Sequence, residues 1–125
     1  MTKIIIDNLI EIDSEKEEIH EEFSGEFYEK NDMIFLVYQN ELNEKVVMKY
    51  NEKMLIMTRF SKPNMIMKLL PDINTTTAIA TPLGLQRFEI RTQSYEKLSD
   101  GCQTQYQFWQ HERLLAQYVL RVRFE

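Results

Sequence analysis

The chain has 125 residues, 43% of them hydrophobic and 11% aromatic, and carries a formal net charge of −5. That length suits a single domain over 1–125, and the apolar content excludes wholesale disorder. The acidic balance argues against a nucleic-acid binder that works through a basic stripe, and no apolar run approaches the length of a membrane span.

Residues 3–12 carry β-branched side chains without helical spacing and predict the first strand. Asp7 and Asn8 interrupt the opening before a signal-peptide core forms, so a cytoplasmic protein is expected. The acids are concentrated just after it. Residues 11–30 hold nine of them against Lys16 and Lys30, a balance of −7, which leaves +2 for the remainder of the −5 chain. Within this stretch 13–22 is the best helix candidate, yet it has no apolar stripe and suggests at most one charged turn. Residues 18–28 alternate, with Ile19, Glu21, Phe23, Gly25 and Phe27 in one phase, and Gly25 in mid-strand points to a bulge or a bend.

Further strands are predicted over 33–39, 46–50, 54–60, 65–70 and 74–80. Their connections use Asn31-Asp32, Asn40, Asn51 and Pro63-Asn64, turn formers that stand in for the scarce glycine. Thr81-Pro82-Leu83-Gly84 is the next turn, with Gly84 suited to positive φ. The strand over 85–95 sets Phe88, Ile90 and Thr92 against Arg87, Glu89 and Arg91, the period of two that marks one buried and one wet face. Asp100-Gly101 gives a hairpin signal, 103–109 alternates again, and Gln110–Arg113 turns into a last strand ending at Phe124.

A meander of this length left open would expose two long edges, whereas closure removes them. An all-β, single antiparallel closed β-barrel of about eight to ten strands follows. Closure brings the chain's end beside its beginning. It sets the outward Arg87, Arg91, Arg121 and Arg123 to face Glu22 and Glu26, a pairing preferred to an anionic partner held by these arginines and Trp109.

Four segments carry a family resemblance: Tyr38-Gln-Asn-Glu41, Leu55-Ile-Met-Thr-Arg59, Thr81-Pro-Leu-Gly84 with the strand after it, and Tyr106 before the last hairpin. With them the chain resembles the YwiB-like family of uncharacterised bacterial proteins. The resemblance implies a small calycin-like barrel, related in fold to lipocalins, and implies no activity.

The candidate site lies in the inward phase, where Tyr106, Tyr118, Thr92 and Thr104 accompany Phe88 and Phe108. One reading is a partly polar pocket at the barrel mouth for a small apolar ligand. The other is a filled core whose hydroxyls pair with backbone. Five of the seven methionines (Met48, Met54, Met57, Met65 and Met67) sit on strands apolar in both phases; core is the plainest account of any one of them, while the excess taken together points to a homodimer or a docked partner.

Evidence for an enzyme is thin. Cys102 is the lone cysteine, so no intrachain disulfide forms, and it pairs with His111 only if the hairpin between them brings the two together. His20 is the other histidine, no metal-ligand spacing exists, and the acid run 15–22 reads as a solvated edge. No catalytic residue, metal or cofactor is expected, and a nucleic-acid partner is not favoured.

Overall fold

The alternating pattern becomes ten strands, and a computed structural model describes all residues from Met1 to Glu125. They are β1 (Thr2–Ile12), β2 (Glu15–Lys30), β3 (Met33–Gln39), β4 (Lys45–Tyr50) and β5 (Leu55–Phe60). Then come β6 (Met65–Leu69), β7 (Thr75–Thr81), β8 (Gly84–Leu98), β9 (Gly101–Gln110) and β10 (Arg113–Phe124). All pairings are antiparallel in the order β6-β5-β4-β3-β2-β1-β10-β9-β8-β7, so the end of the chain does lie against its beginning.

Local chemistry explains the turns. Asp13-Ser14, Asn31-Asp32 and His111-Glu112 each place two consecutive residues at φ between 50° and 71°, the backbone that a tight two-residue hairpin requires. Asn40 and Asn51 act through their side chains instead. Asn40 Oδ1 accepts from the amides of Leu42 and Glu44 at 2.9 and 3.0 Å, and Asn51 Oδ1 from those of Lys53 and Met54 at 2.8 and 3.1 Å. The charged turn expected inside 13–22 is absent, because β1 pairs along its whole length from Thr2 opposite Gly25 to Ile12 opposite Glu15. A two-residue turn leaves no room for helix there.

Gly25 marks a change of partner. Up to Gly25 β2 pairs with β1; from Gly25 on it pairs with β3, so residues 15–24 have a backbone neighbour on one side only. A Cβ at Gly25 would lie 2.3 Å from the Val37 carbonyl and 2.6 Å from Ile4 Cδ1, which is why no side chain fits. The register shifts lie elsewhere, between Thr92 and Ser94 in β8 and between Leu114 and Ala116 in β10.

Ten strands curl until β6 meets β7, but the seam differs from every other junction. Its only backbone bridge is Leu70 with Ile73. Beyond it, Thr75 Oγ1 donates to the Lys68 carbonyl at 2.6 Å and Thr77 Oγ1 to the Ile66 carbonyl at 2.8 Å. The result is a nearly closed barrel. Its core joins Ile4, Ile6, Leu120 and Val122 on one wall to Leu36, Met48, Leu55, Met67 and Leu69 on the other.

Two expectations about the outer surface are corrected. Met48, Met65 and Met67 are buried and Met57 packs against the core, so these methionines fill the interior rather than coat an interface. Nor do the arginines face Glu22 and Glu26, because β1 lies between β2 and β10. Arg123 instead bonds Asp7 at 3.3 Å, Glu22 takes Lys3 at 2.9 Å, and Arg91 stacks on Trp109 with 4.0 Å to the ring centroid.

Gly25→Ala is expected to lower stability by about 2–3 kcal/mol, the scale of an overpacked site. Thr77→Val is expected to cost about 1 kcal/mol, the net worth of one hydrogen bond. Denaturant unfolding checks both through the midpoint at an unchanged slope.

Candidate functional site

The meander gathers five connections at one end of the barrel, including the β1–β2, β7–β8 and β9–β10 turns. There the inward aromatics of β8, β9 and β10 form a wall. Phe88 and Phe108 lie 5.6 Å apart at 26°, Phe108 meets Tyr118 edge-on at 5.1 Å, and Tyr118 stacks on Tyr106 at 4.7 Å. The wall arises because Phe108 faces Ile90 and Ala116 across the ladder while Tyr106 faces Tyr118.

Above this wall opens a cavity of about 410 Å³, lined by Phe88, Phe108 and Tyr118 with Ile12, Ile79, Leu114, Leu115 and Ala116. The register shift in β10 brings Leu114 and Leu115 to the cavity as consecutive residues, which a regular strand would place on opposite faces. Asp13, Thr81 and Arg113 complete its rim.

Three of the six expected residues therefore share one cavity, and three lie deeper. Thr104 is 1% exposed and donates to the Ser94 carbonyl at 2.7 Å, while Tyr106 is 4% exposed and burial pushes its phenol pKa up. Thr92 Oγ1 is buried with no hydrogen-bond partner in the protein, as is Asn8 Oδ1. The sequence pattern points to the inward phase but not to Ile12, Ile79, Asp13 or Arg113. These reach the mouth through turns and closure, which periodicity along one strand does not encode.

Across the mouth a smaller cleft of about 190 Å³ joins Tyr38, Asn40 and Glu41 to Met57 and Arg59, two of the four family-like segments. Asn40 Nδ2 donates to Glu44 Oε1 at 3.1 Å, and Arg59 Nε lies 3.7 Å from that oxygen. Glu21 enters the same cleft, where burial and then the charge of Glu41 raise its pKa.

Cys102 and His111 do not meet. They stand nine positions apart near opposite ends of β9, roughly 30 Å at the rise of a strand. Burial pushes the Cys102 thiol up to about 12, so it is not a thiolate at neutral pH. No group of three or more His, Cys, Asp or Glu side chains is arranged to hold a metal ion. No helix is long and apolar enough to cross a membrane.

His20 lies on the outer face, with Nε2 2.8 Å from Glu22 Oε2 and Nδ1 against Asp7 Oδ1. The hydrogen bond to Glu22, then that to Asp7, raises its pKa above the ordinary 6.5. Because the folded value is the higher one, its contribution to stability is complete below about 6.5 and is lost as pH rises through the folded value. An NMR titration is expected to place the His20 imidazole above 6.5, and His20→Ala to flatten stability against pH in that window.

Comparison with known proteins follows the fold. No curated protein matches the chain. Among solved structures it is similar to the crystal structure of ywiB protein from Bacillus subtilis, with a TM-score of 0.73 over 98% of this chain and 89% of that one. Their sequences are 17% identical, so the likeness is one of fold. The family model described as domain of unknown function (DUF1934) matches residues 4–122. With the match spanning nearly every strand, the chain belongs to the DUF1934 family, and its barrel has the fold of YwiB.

Proposed function

We propose that this protein is a non-enzymatic binding module, a calycin-like barrel that takes a small apolar ligand at its mouth. The observation that carries this reading is the cavity of about 410 Å³ beside Phe88, Phe108 and Tyr118. Its size falls in the range of small-molecule sites, which are commonly apolar clefts with a few polar groups at their edge. Thr92, Thr104 and Tyr106 form the floor beneath, supporting the aromatic wall more than contacting the guest. The single cysteine suits a reducing compartment such as the cytoplasm.

A naphthyl probe that fluoresces on leaving water is expected to bind saturably at one site per chain. Phe88→Ser, which removes one ring of the wall, is expected to weaken it about fivefold or more. Absence of saturable binding by any small aromatic would end this reading.

A second reading, self-association, is favoured by one observation. The outward phases of β3, β4, β5 and β6 align Val37, Val47, Thr58 and Ile66 in one cross-strand row, with Ile66 46% exposed. Sedimentation should then show a dimer that Ile66→Lys converts to monomer. A wild-type monomer at all concentrations removes this alternative.

A further inference from the structure

We infer that the guest of the mouth is an aromatic zwitterion, a planar ring bearing one carboxylate and one ammonium group on a short arm. The inference rests on the reading of the mouth as a ligand site, keeps a ring as the apolar part that the wall takes, and replaces a wholly apolar guest by one whose arm carries both charges. Its ground is the rim, where Arg113 and Asp13 line the same cavity as Phe88, Phe108 and Tyr118.

The aromatic half follows from the wall. Rings spaced at 5.6 and 5.1 Å alternate near-parallel and edge-on arrangements, and a further ring extends that series more favourably than a flexible chain does. The charged half follows from two exposed rim charges that no side chain of the protein neutralises. The protein's ion pairs join Lys3, His20, Arg59, Arg91 and Arg123 to carboxylates, and neither Arg113 nor Asp13 takes part in one.

Backbone geometry fixes where the two charges stand. Asp13 sits in the β1–β2 hairpin at φ 50°, and Arg113 begins β10 directly after the His111-Glu112 turn. β1 and β10 are neighbours, so one acid and one base flank the same opening from adjacent strand ends. A guest with only a carboxylate meets Arg113 but is repelled by Asp13; one with only an ammonium group meets the reverse. A guest carrying both satisfies each rim charge with its opposite, and the selection is made by repulsion of the others as much as by attraction.

Three probes sharing one indole ring test this: tryptophan, indole-3-propionate and tryptamine. Titration of the full chain, followed by NMR shifts at the mouth, is expected to rank tryptophan tightest by about three- to fivefold, the scale of exposed ion pairs. Arg113→Gln should remove the advantage of tryptophan and weaken indole-3-propionate while leaving tryptamine as tight or tighter. Asp13→Asn, which keeps a residue tolerant of positive φ in the turn, should do the reverse. Tryptophan binding no tighter than both singly charged probes overturns the inference. So does failure of all three indoles while the naphthyl probe still binds, which leaves the mouth as a site for another class. Failure of the naphthyl probe as well overturns the site itself.

Discussion

Closure of the barrel at its β6–β7 seam rests on two hydroxyl groups. Around most of the barrel, adjoining strands exchange backbone hydrogen bonds, but between β6 and β7 the donors are Thr75 and Thr77. Thr75 reaches Lys68, Thr77 reaches Ile66, and the bridge between Ile73 and Leu70 continues the same antiparallel register. The side chains thus act as spacers that keep two strand borders aligned without letting them zip. Beyond Thr77 the next inward residue is Ile79, which has no hydroxyl to offer, and Ile79 lines the mouth cavity. The opening beside Ile79 thus lies where this hydroxyl-bonded stretch of the seam ends.

Much of this was legible in the amino-acid order. Strands of period two, bounded by Asn, Asp and Pro turns, appear where the alternation places them, and Gly84 takes the positive φ that its turn position suggests. Phe88, Phe108 and Tyr118 could be grouped because inward phase is a local property of each strand. What stayed hidden required knowing which strands are neighbours. Outward phase alone matches the arginines to Glu22 and Glu26; that β1 separates them is a fact of topology. Strands apolar in both phases leave open whether their methionines form core or surface, and only closure shows that the sulfur-bearing phase is the inner one.

The mouth shows the same division. Its wall was readable, whereas Asp13 and Arg113 come from hairpin turns, whose positions in space depend on the curl of the whole sheet. The segments Tyr38–Glu41 and Leu55–Arg59, distant in sequence, meet in one cleft for the same reason: β4 pairs with β3 on one side and β5 on the other. A register shift such as that in β10 is equally silent, since Leu114-Leu115-Ala116 reads as an ordinary apolar run.

One feature of β2 bears on how such a ribbon survives in a crowded cell. Its residues 15–24 pair with β1 alone, leaving a long stretch of backbone with nothing alongside. Such a border ordinarily invites fibre growth by stacking of identical copies. Here Glu15, Glu17, Glu18, Glu21 and Glu22 crowd it, so a second molecule approaching in the same way would bring carboxylate against carboxylate. The acids that unbalance the composition serve as fencing along a rim that the barrel leaves without a neighbour.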